Sequence, residues 1–242
     1  MIIKKTSISA NLSADGRVYL LGGTGVVSEQ FEKNLKSSYK NKDARVVRLS
    51  GSDRYSTNLD ILRAAGLEGE ELIVCTGSGY ADSLSASSTG KTILLVGRTL
   101  TGVQYEYIEK ELKPSKITII GGASVVSESV EKSLKSYARK NDIKVERIYG
   151  NDRYETSVKI AEAYFDKESS GGTVTLAYGG NFPDGLSGSS MAMAAGSPLI
   201  LTNNGKTAYA KQYITVNAAD KAAVLGGTGV ISENLIKSVM KR

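Results

Sequence analysis

The nine residues Leu21–Glu29, Leu-Gly-Gly-Thr-Gly-Val-Val-Ser-Glu, occur three times in this chain with few changes. The second copy is Ile120–Glu128 and the third is Leu225–Glu233, in which Ile231 replaces Val27. The copies begin at positions 21, 120 and 225, so they lie 99 and 105 residues apart. That period is the size of a small domain and is too long for an ordinary solenoid repeat. The repetition therefore predicts domain-sized structural units.

Three further motifs recur in the same order within each unit. They are an Asp-Arg-Tyr motif (Arg48–Thr57 and Arg147–Thr156), a Gly-rich segment ending in Asp-x-Leu-Ser (Gly77–Ser85 and Gly179–Ser187), and an aliphatic run (Ile93–Val96 and Leu199–Thr202). This register predicts two complete repeats, 49–147 and 148–242. It leaves 1–48 as a partial repeat that holds only the second half of a unit.

Short aliphatic segments alternate with amphipathic segments along each unit. In the middle repeat, strands are predicted at 71–75, 92–96, 116–120 and 144–148, and helices near 82–88, 101–112 and 127–140 and from 156 onward. This alternation is typical of βαβ units with a parallel sheet covered by helices. The fold class predicted is α/β, with tandem Rossmann-like units.

The segment after each Gly-Gly pair reads as a helix start. Ser28, Ser127 and Ser232 are N-cap candidates, and each is followed by a glutamate that favours the helix dipole. Three and seven residues after each serine stand apolar residues that share one helix face: Phe31 and Leu35, Val130 and Leu134, Leu235 and Val239. Folding alone accounts for most of this repeated element.

The composition narrows the possible chemistry. The chain has no histidine and one cysteine, Cys75, within a predicted strand. A Ser-His-Asp or Cys-His mechanism is therefore excluded, and a zinc site is nearly excluded. We expect that the protein is not an enzyme and that it binds no cofactor. No run approaches the roughly 20 apolar residues of a membrane span, and no secretory signal is visible.

The net charge of +6 is concentrated in the partial repeat. Residues 1–48 carry 9 basic and 4 acidic side chains, whereas 49–147 carry 13 of each and 148–242 carry 9 and 8. Four of these lysines lie on one predicted helix and its end: Lys33, Lys36, Lys40 and Lys42. A solvated helix face is favoured over a polyanion patch, and no basic–aromatic pattern indicates nucleic acid binding.

The repeated motifs each allow a structural and a binding interpretation. Gly-Gly resembles a phosphate-binding turn but lacks the full nucleotide fingerprints, so a tight βα turn is favoured. Arg54 and Arg153 are interpreted either as structural links between repeats or as ligand contacts. Asp82 and Asp184 read as helix N-caps or as ligand contacts at the carboxyl edge of a sheet. The aliphatic runs read first as core strands.

These motifs, in this order and period, resemble the type-2 cell-wall-binding repeat of clostridial and other Gram-positive surface proteins. The likeness extends over nearly the whole chain from about Val18. It implies three tandem repeats packed with pseudo-threefold symmetry, located at the cell surface and anchored non-covalently to an anionic cell-wall polysaccharide. The Ile-Leu-Leu motif implicated in anchoring in that family carries over to Ile93, Leu94 and Leu95, and less closely to Leu199, Ile200 and Leu201.

The sequence thus favours a binding module that anchors to a wall polymer. Two alternatives stay open: a Rossmann-like enzyme or binding protein for a phosphorylated or nucleotide ligand, and a purely structural surface-layer piece. The candidate polymer-binding residues are Asp82, Asp184, Arg54, Arg153, Ile93, Leu94, Leu95, Leu199, Ile200 and Leu201.

Overall fold

The computed structural model describes residues 16–37 and 45–241. Within these ranges the chain forms two compact units that divide after Leu67. The described elements of the first unit are β1 (Val18–Leu21), α1 (Glu29–Lys36), β2 (Val46–Leu49) and α2 (Arg54–Ala65). The two strands pair in parallel, and Leu20, Leu35 and Val46 form their small core.

The second unit, Glu68–Arg242, contains two parallel sheets. The strands of the first are β3 (Leu72–Thr76), β4 (Thr92–Val96), β5 (Lys116–Ile120) and β6 (Lys144–Ile148), in the order β4-β3-β5-β6. Its helices are α3 (Ala81–Ser87), α4 (Gly102–Glu106), which continues as a π-helix over Tyr107–Leu112, and α5 (Glu128–Asn141).

The second sheet of this unit has the order β8-β7-β9. Its elements in chain order are α6 (Arg153–Tyr164), β7 (Thr173–Tyr178), α7 (Pro183–Ala194), β8 (Leu199–Thr202), α8 (Ala208–Val216), β9 (Lys221–Leu225) and α9 (Glu233–Met240). Helix α3 packs against α6 and α7, and Gly185 of α7 lies against Leu84 of α3. Elements of the predicted middle and last repeats therefore pack on each other within this unit.

The predicted fold class is confirmed, because every strand pairing in the three sheets is parallel. All five residues of β3 are buried, as expected for a central strand with both faces covered. Cys75 on this strand is fully buried, which agrees with its interpretation as a core residue. The pseudo-threefold packing implied by the resemblance stays a prediction.

The three predicted serine N-caps are confirmed. The hydroxyls of Ser28, Ser127 and Ser232 each accept a hydrogen bond from the backbone N–H three residues later. The apolar residues predicted to face inward are buried, with one exception. Phe31 is 44% exposed, because the first unit offers only a two-stranded sheet among its described residues.

Helix α6 begins earlier than predicted, at Arg153 and not at Thr156. The cause is the Asp152 side chain, which accepts hydrogen bonds from Tyr154 N and Glu155 N, both at 3.0 Å. Asp53 caps α2 in the same way. In both copies of this motif the aspartate thus caps the helix, and the threonine hydroxyl accepts a hydrogen bond from the backbone N–H of the glycine six residues earlier.

The lysine-rich face of α1 is neutralised locally. Lys33 and Lys36 pair with Glu29 and Glu32 one turn earlier, which supports a solvated helix face. The other two lysines of this prediction, Lys40 and Lys42, lie outside the described residues. Among the described helices, none is long and apolar enough to cross a membrane.

Candidate functional site

A cleft of about 630 Å³ lies at the carboxyl ends of β3, β5 and β6. We call it the Arg153 cleft. It is lined by the loop after β3, the Gly-Gly turn after β5 and the Asp-Arg-Tyr motif after β6, including Thr76, Tyr80, Asp82, Gly121, Gly122, Tyr149, Asp152 and Arg153. The carboxyl edge of a parallel sheet is where ligands bind in open α/β folds. Three separate sequence motifs therefore converge at the predicted edge.

The Gly-Gly turn requires glycine at its first position. Gly121 has φ +108°, and a Cβ added there would lie 2.8 Å from Asp82 Oδ2 and 3.1 Å from Val125 Cγ1. Gly226 repeats this geometry, with φ +116° and Asp184 Oδ2 at 2.7 Å. At both positions, the aspartate of Asp-x-Leu-Ser thus packs its carboxylate directly on the Gly-Gly turn.

Asp82 and Asp184 do not cap their helices, so that interpretation was wrong. Helices α3 and α7 begin one residue before each aspartate, and their N-cap residues, Tyr80 and Phe182, make no side-chain capping bond. The aspartates lie in the first helical turn, with their carboxylates near the helix N-terminus, where negative charge is favourable.

The carboxylate of Asp82 lies in a partly desolvated place. Burial raises its pKa above the usual range for aspartate, and the nearby Arg153 guanidinium opposes that shift. Within the described parts of the chain, no donor forms a hydrogen bond to this carboxylate. Asp82 and Arg153 are therefore linked by charge and not by a direct bond.

Arg153 joins the two repeats. Its Nη1 donates to Tyr80 Oη at 2.8 Å and to the carbonyl oxygen of Gly179 at 2.9 Å, and its guanidinium lies 5.3 Å from the centre of the Tyr80 ring. This confirms the structural interpretation of the residue, since Tyr80 belongs to the middle repeat and Gly179 to the last. The side chain is also exposed at the cleft, so the ligand interpretation stays compatible with its position.

Arg147 fixes the other side of the Gly-Gly turn. Its Nη1 donates to the carbonyl oxygens of Gly121 (2.5 Å) and Val126 (3.1 Å), and its Nη2 pairs with Glu131 Oε2 at 2.8 Å. Arg48 makes the corresponding bonds to the Gly22 carbonyl and to Glu32 in the first unit. Sequence reasoning missed this role, although arginine and glutamate recur together with the same 99-residue spacing.

The remaining charged candidates lie elsewhere. Asp184 is half-buried beside Gly226, and Arg54 is exposed at the start of α2 in the first unit. Along this sequence, the order Asp-x-Leu-Ser, Gly-Gly, Asp-Arg-Tyr occurs once, from Asp82 to Arg153.

The aliphatic candidates belong to the hydrophobic core. Leu94, Leu199, Ile200 and Leu201 are at most 1% exposed, and half-buried Ile93 and Leu95 pack against the cluster around Ile73 and Ile160. Direct contact between a polymer and the four buried side chains is therefore contradicted, because they fill the space between sheet and helices. The alternative interpretation of these runs as core strands is confirmed.

Two tyrosines of the cleft were not singled out from the sequence. Tyr80 holds Arg153 and contacts the ring of Phe182, with the ring centres 5.6 Å apart. Tyr149 is 52% exposed and lies beside Gly122, with the Lys159 ammonium 6.0 Å from its ring centre. Tyr149 carried no periodic signal, because the first motif copy has Ser50 at that position.

The fold is thus a set of tandem parallel α/β repeats with a cleft at the carboxyl edge of a sheet, where ligands bind in open α/β folds. The chain belongs to the cell wall binding domain 2 family, whose model matches residues 48–131 and 147–236. This establishes a cell-wall-binding module and places its function at the cell wall.

Two Bacillus subtilis (strain 168) proteins are similar in sequence. The chain is 27% identical to the N-acetylmuramoyl-L-alanine amidase LytC over 220 residues, which cover 89% of this chain and 41% of the amidase. It is 30% identical to the amidase enhancer over 122 residues, which cover 49% of this chain and 17% of that protein. The chain thus spans less than half the length of either relative.

Two solved structures from Clostridium difficile share the fold. Cwp8 superposes with a TM-score of 0.77 at 23% identity, over 97% of this chain and 41% of that chain. Cwp6 superposes with a TM-score of 0.63 at 25% identity, over 79% of this chain and 31% of that chain. These likenesses support the α/β repeat architecture.

Proposed function

We propose that this module binds an anionic cell-wall polysaccharide non-covalently, at the cell surface and without catalysis, through the Arg153 cleft. The observation that carries the proposal is the convergence of three repeated motifs, represented by Asp82, Gly121 and Arg153, on one cleft. We treat 49–147 and 148–242 as complete repeats and 1–48 as a partial one.

Arg153 is suited to hold an acidic group of the polymer. Its two direct hydrogen bonds use Nη1 alone, which fixes the plane of the guanidinium and leaves Nε and Nη2 without a hydrogen bond to a described residue. A pre-oriented guanidinium edge can donate two parallel bonds to a phosphate or carboxylate. Asp82, on the same lining, attracts this arginine through its charge.

Tyr149 supplies the apolar part of the site. Its exposed ring lies beside the Gly-Gly turn, where the absence of a side chain on Gly122 leaves room for a flat group. An aromatic face offers contact area at low entropic cost to the C–H groups of a sugar ring. Arginine and tyrosine together therefore suit a charged sugar polymer.

The other candidates receive lesser roles in this proposal. The buried aliphatic runs, including Leu94 and Ile200, support the strands whose ends form the cleft. Asp184 packs on the Gly226 turn as Asp82 packs on the Gly121 turn, and Arg54 is exposed at the start of α2, so both are candidates for further contacts with the polymer. Repetition of weak contacts on one body raises the total affinity through effective concentration.

Sedimentation with purified Gram-positive cell walls tests the proposal. Walls that retain the anionic polymer should retain the protein, and walls stripped of that polymer should not. Arg153→Gln should weaken retention, whereas Lys221→Gln should not, because exposed Lys221 begins β9 at the opposite strand end from the carboxyl edge. Equal binding of the wild type to intact and stripped walls would refute the proposal.

A further inference from the structure

A second cleft, of about 730 Å³, adjoins the first at the carboxyl edge of β3 and β4. We call it the Arg98 cleft, because Gly97 and Arg98 after β4 form one side of it and Ser127 and Ser129 of α5 another. The two clefts share a wall made of Thr76, Ser78, Gly79, Ser124 and Val125. A ligand that crosses this wall would therefore enter both clefts.

The lining of the Arg98 cleft is hydroxyl-rich and contains no carboxylate among the described residues. Its hydroxyls come from Thr76, Ser78, Ser124, Ser127 and Ser129. The loop that carries Arg98 is fixed, because Ser127 Oγ donates to the Arg98 carbonyl oxygen at 2.6 Å. A lining that holds one cation and several hydroxyls but no acidic residue among the described residues favours an oxygen-rich anion.

Arg98 differs from Arg147 and Lys206 in its ion pairing. Arg147 pairs with Glu131 and Lys206 pairs with Asp152, so neither charge is available to a ligand. The exposed Arg98 guanidinium makes no ion pair or hydrogen bond with a residue that the structure describes. Across the two clefts, Arg98 and Arg153 are thus the lining cations that have no carboxylate bonded to them in the described chain.

We infer that Arg98 forms a second anion subsite, so that one polymer strand places one acidic group at Arg153 and another at Arg98. This inference rests on the proposed function and adds a requirement on the ligand. A fragment with a single acidic group can occupy one cleft only, whereas a fragment with two can bridge the shared wall. The second contact then forms at the effective concentration set by the linking sugars.

The subsite is specific to the middle repeat. In the last repeat, Asn204 stands at the position of Arg98, and Ser232 Oγ lies 3.4 Å from Asn204 Oδ1 in place of the bond between Ser127 and the Arg98 carbonyl. The neutral amide supplies no charge for an anion. We therefore expect a second subsite at Arg98 and no equivalent subsite at Asn204.

Calorimetric titration with polymer fragments tests the inference. The fragments are released from purified walls by partial hydrolysis and separated by whether they carry one or two acidic groups. The wild type should bind the two-charge fragment at least about tenfold more tightly, the equivalent of one charge-assisted hydrogen bond. Arg98→Gln should remove that preference and reduce the salt dependence of binding, whereas Lys221→Gln should retain both.

The outcomes separate this inference from the proposed function. If Arg98→Gln binds like Lys221→Gln while Arg153→Gln binds more weakly, the second subsite is refuted and the Arg153 cleft stands. If neither arginine variant differs from the control, both are refuted. Thermal unfolding of each variant checks folding, and Arg98→Lys, which keeps the charge, should recover part of the preference.

Discussion

Replacing Gly121 by alanine should destabilise the Glu68–Arg242 unit by about 2–4 kcal/mol. Part of this comes from the backbone, because φ +108° is a conformation that alanine rarely adopts; such strain costs about 1–3 kcal/mol. The rest comes from crowding, since the new Cβ would lie 3.1 Å from Val125 Cγ1 and 2.8 Å from Asp82 Oδ2. The variant should also weaken binding to cell walls, because Asp82, which lines the Arg153 cleft, must shift away from the new Cβ.

A double-mutant cycle separates the two contributions. Asp82→Ala removes the carboxylate that a Cβ at position 121 would meet, so Gly121→Ala should cost about 1 kcal/mol less in that background. Gly226→Ala provides a matched comparison, because its φ is +116° and Asp184 Oδ2 lies 2.7 Å from the added Cβ. The same coupling is therefore expected between Gly226 and Asp184.

Urea unfolding followed by far-ultraviolet circular dichroism measures these free energies, provided that the transition of the larger unit is fitted separately. The coupling is the test, since backbone strain alone would give none. A coupling energy below about 0.5 kcal/mol, the usual error of additivity, would show that Asp82 does not pack on Gly121 and would refute the account of the turn.

Three further outcomes are expected. Lys135 and Arg147 hold the pKa of Glu131 below its usual range, so the stability that the ionised Glu131 contributes is present above about pH 4.3 and is lost as the pH falls through the lowered pKa. The difference in urea midpoint between wild type and Glu131→Gln should therefore shrink from pH 6 to pH 3. A constant difference would contradict this. Ser127→Ala should destabilise α5 by about 1 kcal/mol through loss of its N-cap, with Ser133→Ala in the same helix as a near-neutral control. Tyr164→Phe should lower the free energy of unfolding by about 1–2 kcal/mol, because it removes the 2.6 Å hydrogen bond from Tyr164 to Glu71. Urea unfolding measures the loss, with Tyr149→Phe as the control because the Tyr149 ring is exposed. Equal effects of the two substitutions would contradict a hydrogen bond between the repeats.

Much of the fold could be predicted because its signals are local. The predicted strand bounds 92–96, 116–120 and 144–148 agree with β4, β5 and β6. The serine caps also follow from short-range chemistry, since Ser127 bonds to the backbone three residues away. The start of α6 was misplaced because the capping aspartate precedes the apolar periodicity that marks the helix.

The site was predicted only in part. Asp82 and Arg153 were both candidates, but they lie 71 residues apart in sequence, and nothing in the spacing shows that they share a cleft. The aliphatic runs suggested contacts that burial rules out for residues such as Leu94. Arg98 was not predicted from the sequence. Whether an arginine is available to a ligand depends on whether an acidic side chain packs against it in the fold, as Glu131 does against Arg147.

The sequence by itself determined the parallel α/β repeats, their register and the three serine N-caps, because each depends on hydrophobic periodicity or on bonds between close neighbours. Only the tertiary structure decided which charges stay available to a ligand and which motifs form one cleft. Parallel strands bring their carboxyl ends to one edge regardless of their distance along the chain, so Asp82, Gly121 and Arg153 meet there. That meeting depends on packing between elements, which no local pattern encodes.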